Sequence, residues 1–456
     1  MRKSMLLWIA LLAATGLECD AAGDTFDLAY VNQLSDDASW CWFQDERAVF
    51  AGEMLVTTVI ASGHREPSRS GNLEALVHDP ETGESWRSVI HKGFELDDHN
   101  VATLVVLPDD RVMAVYAKHH REGCFYVAGS DRRSRYRVWT EPERVEMGEA
   151  SRLTYANVFR VPTPVGGARL VNFFRGLNNE FRPSYAVSGD DGKTWTAGRV
   201  LLGGDVGVRS RPYVKYARAA DGAIHLAYTE GHPRDIDNSI YHVVWREGRL
   251  ESLGGELLAD RDAAPLMPSR GAMVYRGGPQ RVAWTHDLHL DDQGRPVVAF
   301  SVQRGSAGLP RGQGGDDLRY GLARWDGDTW RSALIGHAGS RLYAGEDDYA
   351  GGICLDPQQL DSHQRASGGC TVYASSNVDP VTGRPTTNGA YELFLGRVGG
   401  DLTCEWTALT LGANENQLRP MVAHGPTGRS ALLWLVGEYT SYTDFRQRAM
   451  ATTRRH

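Results

Sequence analysis

Once its first two dozen residues are set aside, the sequence has no run of the roughly 18 apolar residues that a membrane helix needs. None of its six cysteines forms a Cys-x-x-Cys pair, which removes the cysteine zinc knuckle. It has no basic run and its net charge is −8, so nucleic acid is not an expected partner. It also lacks any helix-period segment of useful length. What remains is a chain of 456 residues, 41% hydrophobic, with 51 glycines and 19 prolines. That is enough apolar matter for a large core, broken by many turns. At roughly 150 residues per domain the length suggests three domains, but closed all-β architectures run much longer as one unit.

The N-terminus carries an export pattern. Arg2 and Lys3 form a basic start, and Met5 to Ala14 form a short apolar stretch. Cleavage between Cys19 and Gly23 leaves residues 24–456 as the expected mature domain, secreted or periplasmic. Lipid anchoring at Cys19 is the alternative, and Glu18 just before it fits that signal poorly. Export permits a disulfide, and Cys354 and Cys370 flank a polar, looping stretch where one could close. Two unpaired thiols are the competing reading.

One pattern recurs along the chain: a strand, a Gly/Asp/Pro turn, a second strand ending in an aromatic, then polar residues. It appears from His99, Tyr155, Tyr213 and His286, with looser copies at Tyr349–Asn377 and Arg419–Glu438 and a first copy at Trp42–His64. Seven such hairpins, spaced by roughly 45–75 residues, predict a single all-β domain folded as a seven-bladed β-propeller. Ser188-Gly-Asp-Asp-Gly-Lys-Thr-Trp195 matches the Asp-box S-x-D-x-G-x-T-W, with degenerate forms at Glu81–Trp86 and Trp325–Trp330. These boxes are structural turns between outer strands.

Hairpin geometry nominates a site. The first residue of strand one and the residues just past strand two return to the same face. This pairs His99 with His119, Tyr155 with Arg175, Tyr213 with His232 and His286 with Arg304. Tyr349 with Asn377 and Arg419 with Glu438 complete the rim. A lone His or Tyr at a strand end is most often a hydrogen-bonded rim residue. Two His, two Tyr and one Arg on three successive blades are harder to explain that way.

No Asp/Glu pair for glycoside hydrolysis stands out at this rim, although Asp97 and Asp98 precede His99. The set suits β-elimination on a uronic acid instead. That reaction needs a base for the C5 proton, an acid for the leaving O4, and a donor that neutralises the carboxylate. His and Tyr serve as acid and base, and Arg grips carboxylate bidentately. His99, Tyr155 and Arg175 are the catalytic candidates, with His119, Tyr213, Arg211 and Arg304 as substrate-binding ones. The expected partner is an acidic polysaccharide met by a monomer, and the chemistry requires no cofactor.

The stretches DDHNVATLVVLPDDRVMAVYAKH, TYANVFRV, LVNFFRG, SRPYVKY, IHLAYTEGHP, AWTHDLHLDDQGRP and ENQLRPMV resemble the BNR/Asp-box family that includes the propeller ulvan lyases. The resemblance covers most of the chain after about Trp40. It implies cleavage between a sulfated rhamnose and a uronic acid, leaving an unsaturated uronyl end. By motif it carries the family's catalytic groups onto His99, His119, Tyr155, Arg175 and Tyr213. It also implies a structural divalent metal, zinc or calcium. The ligands have no motif match, and His232, His286 and His289, with Asp287, are the candidates. Two rival readings remain: a sialidase-like hydrolase, with Arg175, Arg211 and Arg304 around a carboxylate, and a non-catalytic glycan-binding propeller.

Overall fold

The structure, a computed structural model, describes residues 25–204, 211–306, 309–360 and 369–455. The export signal and Cys19 fall outside these. Seven antiparallel sheets follow one another along the chain. Their innermost strands are Ala48–Ala51, Thr103–Val106, Thr154–Pro162, Val214–Arg218, Arg281–Leu290, Ile353–Leu355 and Gln417–His424. Inner strands of neighbouring blades touch, and the seventh touches the first. Among the described residues helix is limited to short 3-10 segments. The chain is a seven-bladed β-propeller, as the repeats predict.

Burial follows from blade-on-blade packing. A middle strand is covered on both faces by adjacent blades, so it reads as a continuous apolar run. Met54–Ile60 is buried at every residue. On the outer strand Ser85–His91 of the same sheet, only Ile90 is buried. The ring closes by mixing termini. Asn32–Ser35 pairs antiparallel with Asp444–Arg455 as the outermost strand of the seventh blade. This ties the N-terminal strand to the C-terminal blade and closes the ring.

The Asp-box is the turn between Pro183–Ser188 and Thr196–Val200. Asp190 accepts from the Thr194 amide (2.9 Å) and hydroxyl (2.6 Å), and Trp195 donates to the Gly192 carbonyl at 3.0 Å. Its polar groups are consumed within the turn, in keeping with a structural role. Cys354 and Cys370 are both free, so the disulfide is not formed. They lie on paired strands but face opposite sides of the sheet: Cys354 packs with Tyr373 and Trp434, Cys370 with Leu355 and Val372.

The first hairpin begins at Ala48, not at Trp42. Residues 39–47 instead cross the central channel, because the chain must pass from the outermost strand of blade seven to the innermost strand of blade one. Trp42 donates to the Thr285 carbonyl of blade five at 3.3 Å. Lys215 of blade four donates to the Trp42 carbonyl at 2.6 Å. Asn157 of blade three donates to the Phe43 carbonyl at 3.2 Å, and Trp40 to the Arg419 carbonyl of blade seven at 3.2 Å. This plug forms the floor of the funnel on one face.

Several histidines are buried as neutral bases. His225 Nδ1 lies 3.1 Å from His242 Nε2. Burial pulls His225 down to about 4, His286 to about 3, and His242 well below its ordinary value. Unfolding exposes imidazoles that take up protons the native state refuses. Stability is therefore full above about pH 6.5 and is lost as pH falls through it toward 4. The melting temperature should drop over that interval, and His242→Gln should flatten part of the drop. A melting temperature constant from pH 7 to 4 would show that these rings are not buried neutral.

Candidate active site

Local backbone devices turn four blades' side chains into one funnel. His99 sits in the 3-10 turn Asp98–Asn100, whose preceding Asp97 caps it by accepting from the His99 amide at 2.9 Å. Tyr155 lies at a β-bulge between Thr154 and Asn157, with φ of 67°. Arg419 repeats the arrangement at a bulge with φ of 51°. A non-glycine residue in the left-handed region costs on the order of 1–3 kcal/mol and persists only where its surroundings impose it. Arg175 ends the strand Ala168–Arg175, and Tyr213 directly precedes Val214–Arg218.

These residues meet. The His99 and His119 rings stack with centroids 4.2 Å apart, and Tyr155 lies 5.8 Å from His99. The Arg175 guanidinium sits 5.0 Å from the Tyr155 ring, 4.7 Å from Tyr213 and 5.3 Å from Phe181. Arg175 is 3% exposed. Among the described residues none of its three nitrogens has a hydrogen bond of good geometry, although the Tyr213 phenol lies within reach, and the buried Tyr155 hydroxyl likewise has none. A buried guanidinium without an anion is costly. A planar fork framed by aromatic faces has the geometry to take a carboxylate bidentately.

The electrostatics separate the two tyrosines. Burial raises both phenols. At Tyr213 the positive charges of Arg175 and Arg211 override it and bring the phenol below its usual value. Tyr155 stays well above, pushed by burial and by Tyr213. At His99, burial pulls down, but the surrounding Cys41, Tyr155, Asp97 and Asp98 outweigh it and hold the imidazole well above its ordinary value. His119 is lowered by burial and by the charge on His99.

The remaining candidates divide. Arg211 is adjacent, 5.9 Å from Phe181, but paired with Asp235 at 3.1 Å. His232 lies 5.4 Å from Tyr213. Tyr349 and Arg419 join the funnel, packed against Trp42. Arg304 does not: it is exposed, in a groove with Tyr275 and Leu334. The reason is hairpin length. The inner strand of blade five starts at Arg281, which pairs with Arg304, whereas His286 sits at a bulge beside Ser301. Of the neighbouring pair, His119 faces the funnel and His120 stacks on Phe181. The plug residues Cys41, Trp42 and Phe43, with Trp284, Tyr343 and Tyr442, were not nominated by the hairpin rule, because they lie outside the hairpins or inside a strand.

The metal candidates do not fit one ion. His286 lies flat on Trp42 and bonds Ser301 at 3.0 Å. His289, three residues along an extended strand and so roughly 10 Å away, faces the opposite mouth of the channel. There it pairs with Asp287 at 3.5 Å. His232 is driven well below its ordinary value by burial and by Arg234, Arg211, Arg175 and Arg311, a field that repels cations. Among the described residues, the compact His/Cys/Asp groups are Cys41–Asp98–His99 and Asp97–His99–His119, which contain none of the three.

The model of the BNR repeat-containing family matches residues 69–337. The chain belongs to the BNR repeat-containing family. Comparison with curated proteins finds no match. Among solved structures the chain is similar to an ulvan lyase bound to -[GlcA(1-4)Rha3S]-, with 12% identity, a TM-score of 0.64, and 92% of this chain and 94% of that one covered. It is also similar to the polysaccharide lyase Uly1, with 12% identity, a TM-score of 0.53, and 96% and 94% covered. At such identity these neighbours speak to the fold.

Gly176 fixes where Arg175 stands. Its φ is 110°, and a Cβ there would lie 1.7 Å from the Arg152 carbonyl oxygen. Gly176→Ala should destabilise the protein by about 1–3 kcal/mol or more, read as a lowered denaturation midpoint. An unchanged midpoint would mean this turn does not constrain the strand end.

Proposed function

We propose that this protein is a polysaccharide lyase that cleaves a uronic-acid-containing polysaccharide, of the ulvan kind, by β-elimination. The observation that carries the reading is Arg175: buried, paired with no carboxylate among the described residues, and ringed by Tyr155, Tyr213 and Phe181. A uronate carboxylate on that fork loses its charge to the guanidinium, which makes the adjacent C5 proton acidic enough to remove. Tyr213, the phenol lowered by Arg175 and Arg211, is the better base. His99, held as imidazolium, is the acid for the leaving O4. Tyr155 remains protonated and donates a hydrogen bond to the sugar. The sialidase-like alternative is disfavoured, because Arg304 lies elsewhere and Arg211 is already paired.

Incubation with a panel of acidic polysaccharides should generate ultraviolet absorbance from the C4–C5 double bond conjugated to the carboxylate. Hydrolysis gives no such chromophore, and simple binding gives no product. Tyr213→Phe should lower turnover by about 10²–10⁴-fold, and Tyr155→Phe by less. Arg175→Lys should be nearly as damaging as Arg175→Ala, because the planar fork is lost although the charge stays. Near-normal turnover in Arg175→Lys would remove the carboxylate clamp from the mechanism.

A further inference from the structure

Two carboxylates stand beside His99, and only one of them also reaches His119. Asp98 is fully buried, and its Oδ1 lies 3.0 Å from His99 Nδ1. Its Oδ2 accepts from Arg419 and from the Tyr439 hydroxyl at 2.7 Å. Among the described residues, Asp97 has no cationic partner except the histidines. Its Oδ1 lies 2.7 Å from His99 Nδ1, and its Oδ2 lies 3.0 Å from His119 Nδ1. One carboxylate thus spans two stacked rings, one oxygen to each. We infer that Asp97 is a positioning residue that binds His99 and His119 into a single proton-holding unit, which carries one positive charge and acts as the acid of the reaction. The inference rests on the lyase reading of this same funnel.

The bridge has two chemical consequences. Both Nδ1 atoms are turned to Asp97, so each ring carries its Nδ1 proton there and offers Nε2 to the funnel. Two stacked imidazoliums this close repel one another, so the pair holds one charge rather than two. That charge belongs on His99, which Asp98 also faces at 3.0 Å. His119 is the more exposed ring, 23% against 5%, and is the side open to solvent. Cys41 of the plug, Tyr155 of blade three, and Tyr343 and Tyr442 on the far rim also face His99. None of these brings a cation, and Arg419 is masked by Asp98.

The step balances. Tyr213, when in its phenolate form, takes the C5 proton, and the C5–H electron pair becomes the C4–C5 π bond. The C4–O4 pair leaves on oxygen. The His99 Nε2–H bond breaks as the O4–H bond forms, and His99 is left neutral, keeping its Nδ1 proton in the hydrogen bond to Asp97. Return to the starting state moves one proton from Tyr213 to His99 through solvent.

The test has one arm on the unaltered protein and one on a variant. In ¹⁵N-histidine-labelled protein, His119 should be the neutral Nδ1–H tautomer at pH 7 and His99 doubly protonated. An Nε2–H tautomer at His119, or a neutral His99, would overturn the proposal whether or not any substrate is known. Asp97→Asn should lower the alkaline limb of the kcat/KM profile, and the His99 titration with it, by about one pH unit or more. If Asp97 were only structural, the variant would lose rate with the limb unmoved, and that result also overturns the proposal. Should the variant fail to fold, the spectrum of the unaltered protein decides alone. The expected tautomers without turnover on any uronate polysaccharide would sink the lyase reading and leave the histidine pairing intact.

Discussion

The buried ion pair between Asp98 and Arg419 joins three parts of the molecule that are far apart in sequence. Arg419 belongs to the inner strand of the last blade, and Asp98 to the turn that enters the second. Between them Arg419 also donates to the carbonyl of Trp40 in the plug. Burying two such charges costs several kcal/mol for each ion, and only close pairing with further hydrogen bonds recovers it. Here Tyr439 adds a bond to Asp98 at 2.7 Å, and the guanidinium lies 4.2 Å from the Tyr439 ring. Removing either partner would strand the other, at a cost of about 3–5 kcal/mol. The pair also sets the turn that presents His99.

The same pair organises the charges of the funnel. Arg419 takes one oxygen of Asp98, and Asp97 spans the two histidines. With Arg211 held by Asp235 and Arg234 held by Glu346, Arg175 has no anion among the described residues. Positive and negative functional groups stand on neighbouring blades without neutralising each other. Tyr155 lies between them, 5.8 Å from His99 and 5.0 Å from Arg175. Rigid strands hold this separation. On a mobile loop, Arg175 and Asp97 would lower their energy by finding one another.

Much of this site could be read from the chain because a hairpin is a local object. Its two ends must return to one face, so His99 and His119, or Tyr155 and Arg175, could be paired from spacing alone. The rule failed where the local geometry differed. A ten-residue inner strand in blade five put Arg304 beside Arg281 and left His286 at a bulge. The plug was missed for another reason. Residues 39–47 form no repeat, and they cross the channel only because the first strand closes the last blade. The opposite shifts of the two phenols were equally hidden, since they depend on which arginine already has a partner.

The sequence by itself determined the repeat, the turn chemistry and the polar residues offered at each hairpin mouth. These rest on alternation and turn formers acting over a few residues. The tertiary structure decided which of those residues meet, which are already neutralised and which carry the charge. Those outcomes depend on distances of 3–6 Å between blades and on burial that no single hairpin creates. The physical reason is that pairing and desolvation are properties of the closed ring, whereas strand and turn preferences belong to the local chain.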